Sequence, residues 1–269
     1  MNRLWMIIFV AGAGFSQAVP EEPAGPAPVF SIEANGSCAP TLYRGWPLMV
    51  RASILHPATG LGEGEPGALA VSGWGVGIQL TVRNAQGEAQ SWPFALLKSP
   101  PAELQLEPGT VAEVVWRLTP EQTAGIPAGN YEIAGLADTL AAVPVPVRVE
   151  AEPSTLTLEQ EAAKQELLYH YHRLNDDPAS AMEAVDELLR SQPYHPGALG
   201  LKGFLLADQG DDLKALEFIG NAIAEVERLN PGQNPDQDEP PVELLKRYAE
   251  VSRRAAQRQK AQPAAAKRR

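Results

Sequence analysis

Residues 176–190 read DDPASAMEAVDELLR, and residues 210–224 read GDDLKALEFIGNAIA. At an offset of 34 residues, Asp177 falls on Asp211, Ala181 on Ala215, Val185 on Ile219 and Leu189 on Ile223. A period of this size marks stacked helical hairpins, in which each hairpin buries its apolar face on the next. Ala181, Val185, Leu188 and Leu189 lie on one helical stripe, as do Ala215, Ile219, Ala222, Ile223 and Val226. The preceding helices offer partner surfaces through Leu167, Leu168 and Tyr171 in one hairpin and Leu199, Phe204, Leu205 and Leu206 in the other. The turns carry start signals: Asp177 before Pro178 suits an N-cap followed by proline at the first helical position. Gly210 is placed to end one helix, with Asp211 capping the next.

Over roughly seventy residues this pattern resembles the tetratricopeptide repeat family. The family's small residue at the helix crossing is matched by Ala181 and Ala215, and its following large apolar residue by Val185 and Ile219. Gly203 matches the close-packing glycine of the first helix, where the other copy has Tyr169. Ala222 and Pro193 match further positions that Leu188 and Glu227 replace in the opposite copy, so the second copy is the fuller match. A plain four-helix array with no repeat ancestry is the alternative. The resemblance implies a concave face lined by Ala163, Glu166, His170, Arg173 and Leu174 and by Gly197, Gly200, Phe204, Ala207 and Asp208. On that face Phe204 would anchor an apolar side chain, Arg173 and Glu166 would pair with charges on an extended peptide, and Gly197 and Gly200 would admit a backbone. His170 would make binding pH-dependent near its ordinary pKa of about 6.5. The competing reading packs this face on the rest of the chain.

Beyond the repeats, residues 231–241 form a Pro/Asp/Gln/Glu connector, and residues 242–258 read as a helix that caps the last hairpin with a polar outer face. The helical domain thus spans 155–258. Residues 259–269 are expected to be a disordered basic tail, either solubilising or touching an anionic surface.

Residues 29–150 read as an all-β domain. Trp74, Val76, Ile78, Leu80 and Val82 alternate with Gly75, Gly77, Gln79, Thr81 and Arg83, which is the period of a half-buried strand. Leu48, Val50, Ala52 and Ile54 alternate likewise, as do Val114, Trp116 and Leu118, then Tyr131 and Ile133. In the last run, Val143 to Val149, Pro144 and Pro146 require an edge strand or one beside the domain exit. Short strands with Gly/Pro turns mean a sandwich or barrel. Residues 118–133 resemble the corner of immunoglobulin-like and fibronectin type III-like sandwiches, in which a tyrosine bonds back to upstream backbone. Tyr131 takes that role, or is a plain core aromatic.

The first eighteen residues read as a secretory signal: Arg3, an apolar run from Leu4 to Phe15, then Ser16-Gln17-Ala18. The run is shorter than the ~20 residues that span a bilayer. Residues 19–28 are a Pro/Glu linker. The chain is therefore expected to be exported, periplasmic or secreted, with no stable membrane span.

The 269 residues carry a net charge of −11. From Lys246 onward there are nine Lys/Arg and one Glu, a balance of +8, so the body is strongly acidic. An acidic body repels phosphates and argues against nucleic acid as a partner. Cys38, the one cysteine, has no internal disulfide partner; it is read as a buried or tolerated thiol, or else an intermolecular bridge. Asn35-Gly36-Ser37 is read as a turn in preference to a glycosylation triplet. Residues 60–67 form a Gly-rich loop without the strand, helix and Lys-Ser/Thr of a phosphate cradle.

No catalytic constellation emerges. His170 and His172 point about 200° apart on a helix and cannot jointly hold a metal. Acid pairs at 176–177 and 211–212 suit helix starts. No metal, cofactor or catalytic residue is expected. The chain is read as a non-enzymatic interaction protein that binds a protein or peptide in the helical groove. The alternative is an extracellular glycan- or polymer-binding module using exposed tryptophans of the sandwich.

Overall fold

The structure is a computed structural model that describes residues 27–58, 68–72, 74, 77–97, 103–229 and 242–266. The expected signal, most of the linker, the 60–67 loop, the 231–241 connector and the last three residues lie outside the described residues.

The N-terminal part is β-rich. In chain order it holds β1 (Val29–Ala34), β2 (Thr41–Tyr43), β3 (Leu48–Leu55), β4 (Leu69–Ser72), β5 (Ile78–Asn84) and β6 (Ala89–Gln90). After these come β7 (Ala95–Leu96), β8 (Glu103–Leu106), β9 (Val111–Leu118), a short α1 (Pro120–Ala124), β10 (Gly129–Ala137), β11 (Leu140–Ala141) and β12 (Val145–Glu150). One antiparallel sheet runs β1-β3-β9-β7, a second runs β2-β12-β10-β5-β6 with β11 on β10, and β4 pairs β8. Both larger sheets turn their alternate residues into a single core, with Val50, Ile54 and Leu118 from the first meeting Val82, Ile133 and Val147 from the second. The chain changes sheet between Gln90 and Ala95, because β6 pairs β5 whereas β7 pairs β9.

One strand reading changes. Among the described residues of the Trp74–Arg83 run the strand begins at Ile78, and Trp74 stands in a turn, 2% exposed, edge-on to Phe30 at 6.5 Å. β12 lies between β10 and β2, so it is not an edge strand; it is the strand beside the exit, the last before the helices. It tolerates its prolines because β2 pairs only with Arg148–Glu150, beyond Pro146. Cys38 is exposed and free, so its burial is not found.

At the corner, Thr119 and Gln122 form a reciprocal capping box on α1. Thr123, fully buried, donates its hydroxyl to the Trp46 carbonyl at 2.7 Å. The Tyr131 hydroxyl donates to the Pro127 carbonyl at 2.9 Å. Asn35 (φ 48°) and Gly36 (φ 72°) form a left-handed two-residue turn. The Asn35 side chain is tied down in it, accepting from Met49 N at 2.8 Å and donating to the Pro47 carbonyl at 3.2 Å.

The C-terminal part is helical: α2 (Leu158–Leu174), α3 (Pro178–Ser191), α4 (Pro196–Asp208), α5 (Asp212–Leu229) and α6 (Val242–Ala266). The α2–α3 and α4–α5 turns are built alike. Asp177 N donates to the His172 carbonyl at 3.0 Å, and Asp211 N to the Leu206 carbonyl at 2.9 Å. One residue earlier in each turn, Asp176 N donates to the Arg173 carbonyl and Gly210 N to the Ala207 carbonyl, each at 3.2 Å. Both middle residues are left-handed, Asp176 at φ 56° and Gly210 at φ 84°, the geometry of a Schellman cap. Asp177 and Asp211 then cap the next helices, accepting from Ser180 N at 3.1 Å and Lys214 N at 3.4 Å. At the α4–α5 crossing, a methyl on Gly203 would lie 2.5 Å from Ile219 Cγ1 and 3.1 Å from the Ala215 carbonyl oxygen. Only a bare Cα fits there.

α6 differs from expectation in two ways. It continues through Ala266, past Arg258, because its C-terminal half is rich in Ala, Gln, Lys and Arg, all strong helix formers. Its arginines also do more than solubilise. Arg254 and Arg258 reach the Asp212 carboxylate at 3.1 and 3.0 Å, and that side chain is only 3% exposed. They also donate to the Ala207 and Gly210 carbonyls at the C-terminal turn of α4. The outer face of α6 is not uniformly polar, since Val242, Leu245 and Tyr248 are exposed on it.

Candidate functional site

The two parts meet through α2. The Trp46 indole donates to Glu152 Oε1 at 3.0 Å, and Lys164 Nζ reaches the same oxygen at 2.6 Å. The Lys164 bond first, and the Trp46 bond second, hold the Glu152 carboxyl below its ordinary range. Gln160 uses its amide oxygen to cap α2 at Thr157 N (3.0 Å) and its amide nitrogen to reach the Tyr43 hydroxyl (3.0 Å). Arg117 of β9 lies over the Tyr171 ring, 5.8 Å from its centroid. α2 therefore carries two packing faces. Ala162, Leu168 and Tyr169 meet α3 and α4, while Leu167 packs against the β core.

This seam makes a cleft of about 610 Å³ between the first sheet and the helices. The pairing register sets Glu33, Arg51 and Val115 side by side on the outward face of β1, β3 and β9. Arg51 lies 3.5 Å from Glu33 and 3.7 Å from Glu113. Across from them stand Glu166, His170, Arg173 and Phe204. Two smaller cavities adjoin it: one of about 240 Å³ between α2, α4 and the start of α6, and one of about 390 Å³ along α4 and α6. Phe204 lines all three.

The structure thus brings Glu166, His170, Arg173, Phe204 and Asp208 to one surface, with changed roles for several residues. Arg173 is already bonded to Asp208 at 2.7 Å, and Asp208 is also bonded to Arg247 of α6. Neither Arg173 nor Asp208 presents an unmatched charge. Gly200 is buried and does not open the groove to a backbone, whereas Gly197 is exposed on it beside the flexible end of Glu166. A methyl on Gly197 would lie 2.7 Å from Glu166 Oε1, and one on Gly200 would lie 2.9 Å from Leu244. Ala207, 1% exposed, faces the core. Ala163 and Leu174 line the cleft as expected. The structural positions Ala181 and Ala215 are fully buried.

His170 sits at the cleft mouth with part of its ring open to solvent. Crowding by the surrounding protein, and secondarily the Arg51 guanidinium, push its pKa below the ordinary value of 6.5. Burial raises the Tyr169 phenol. Glu166 lies 3.8 Å from His195 Nδ1, but that nitrogen accepts the Ala198 N–H at 3.2 Å.

Sequence reasoning missed the opposite wall, made of Glu33, Met49, Arg51 and Val115. A signal was present: Met49 is a large apolar residue at an outward position of β3, where solvent alone would not favour it. Trp46 and Trp74 are buried at 5% and 2% exposure, and Trp92 is half-buried on the Tyr131 ring at 5.1 Å. No two of these three share an exposed face, and Trp92 also lies 6.1 Å from the half-buried Phe94 ring. Among those residues no group of three or more His, Cys, Asp or Glu side chains is arranged to hold a metal, and no helix is long and apolar enough to cross a membrane. Comparison with known proteins found no matching family model and no similar curated protein.

Proposed function

We propose that this chain is an exported, non-enzymatic interaction protein. Its helices act as a short tetratricopeptide-like array behind an immunoglobulin-like β-sandwich, and its groove takes an extended segment of a protein partner. The observation that carries the reading is the run of three adjoining cavities along α2, α4 and α6 that share Phe204. A half-buried aromatic flanked by charged side chains on rigid helices is the composition of a peptide anchor site. The β region supplies the second wall of the groove, which two helical hairpins alone would leave shallow.

The test is selection of a random peptide library on the immobilised chain from Val19 onward, repeated with Phe204→Ala. Selected peptides are expected to lose about tenfold or more in affinity for the variant, as anchor residues do, while circular dichroism stays unchanged. A set of binders indifferent to Phe204→Ala would move the function off this groove.

A further inference from the structure

The middle cavity has a chemistry of its own. Its apolar lining comes from Leu201, Phe204 and Leu244, the last of which is 8% exposed. Two carboxylates, Glu166 and Glu243, stand on its rim from α2 and α6. Glu243 has no ion-pair or hydrogen-bond partner among the described residues, and Glu166 has only a long contact of 3.8 Å to His195 Nδ1. Every other acid along this surface is matched: Asp208 by Arg173 and Arg247, Glu250 by Arg247, and Glu33 by Arg51. Of the three adjoining cavities, only this one is lined by both of these carboxylates. Its volume of about 240 Å³ suits one long side chain.

We infer that this cavity is a pocket for a lysine or arginine side chain of the partner segment. The methylene stem would lie on Leu201 and Leu244. The cation would sit beside the Phe204 ring and between Glu166 and Glu243, where ring quadrupole and carboxylates act in the same direction. Long-range charge favours the same class of partner. With a net charge of −11, and nine of its 22 basic residues lying from Lys246 onward, the body attracts a cationic segment and raises its encounter rate. The start of α4 opposes the cation through its N-terminal dipole, which gives Glu166, lying against Gly197 at that end, the larger share of the work. This inference rests on the groove being the binding site.

Two probes test it on the chain from Val19 onward. In the first, n-butylguanidinium chloride and the neutral n-pentanol are titrated while the methyl resonances of Leu201 and Leu244 are followed by NMR. The cation is expected to bind about tenfold more tightly than the alcohol. Glu166→Gln with Glu243→Gln is expected to remove that difference, with thermal melting unchanged, and added salt to shrink it. Equal binding of the two probes, or a double variant that keeps the preference, overturns the pocket. In the second, peptides selected on the wild-type chain are re-synthesised with each Lys or Arg replaced by norleucine. Loss of binding at one such position, matched by loss on the double variant, supports the pocket. Peptides that need Phe204 but no basic residue overturn the pocket and leave the groove standing. Peptides that need neither overturn both.

Discussion

The two helical hairpins share a turn but not a fate. At the same offset, each closes with a left-handed residue, two carbonyl bonds and an aspartate cap. Their differences lie where each meets its neighbours. In α4, Gly203 lets α5 come so close that Ile219 and the Ala215 backbone fill its Cβ space. In α2 the equivalent residue is Tyr169, buried at 5% exposure. α2 also has Leu167 against the β core and Tyr171 under Arg117. α5 begins at Asp212, held by two arginines of α6, where α3 begins at Pro178 and receives no such clamp. The first hairpin departs from the repeat pattern because α2 must satisfy a second surface. The local turn is a property of a few residues; the faces are set by what is packed against them.

The comparison can be broken at the clamp, where the largest effect is expected. Replacing both Arg254 and Arg258 by alanine strands the Asp212 carboxylate in the interior, which costs about 3–5 kcal/mol. Urea denaturation should show that loss, and adding Asp212→Asn should recover part of it. A loss under 1 kcal/mol would mean that α6 is held by its apolar contacts alone.

The crossing comes next. Ala181→Leu and Ala215→Leu each overpack a fully buried site and are expected to cost ~1–3 kcal/mol. Ala215→Leu should cost more, because its hairpin is the one closed on a glycine. Equal midpoint shifts in thermal melts would show that Gly203 does not set how tightly the second hairpin closes.

A smaller effect is expected in the β region. Tyr131→Phe removes the bond to the Pro127 carbonyl and should cost about 0.5–1.5 kcal/mol, the net worth of an ordinary hydrogen bond. A variant as stable as wild type would reduce Tyr131 to its ring contacts.

The smallest effect concerns pH. The folded His170 pKa lies below the ordinary 6.5, so the folded chain binds fewer protons than the unfolded chain between those two values. Its contribution is present above 6.5 and lost as pH falls toward the folded pKa. NMR titration of the imidazole should give a midpoint under 6.5. Arg51→Gln should raise that midpoint only partway, since burial is the larger cause.

The sequence by itself determined whatever depends on neighbours along the chain. Asp177-Pro178 and Gly210-Asp211 announced both turns, because caps act over three or four residues. Alternation in 48–55 and 111–118 announced β3 and β9, because side-chain period is local. Glu166, His170, Arg173, Phe204 and Asp208 were placed on one surface only through what the resemblance to tetratricopeptide repeats implies. Their partners were not legible. That Arg173 is tied to Asp208, that Leu244 fills the space over Gly200, and that Met49 and Arg51 wall the cleft are contacts between residues roughly 35 to 120 positions apart. The same distance hid Arg254 and Arg258 of α6, which in sequence read as the polar face of a capping helix and in space complete a buried carboxylate. Pairings of this kind depend on how sheet and helices pack, and local pattern carries no information about that. Only the tertiary structure decided which charges along the groove are matched and which are not.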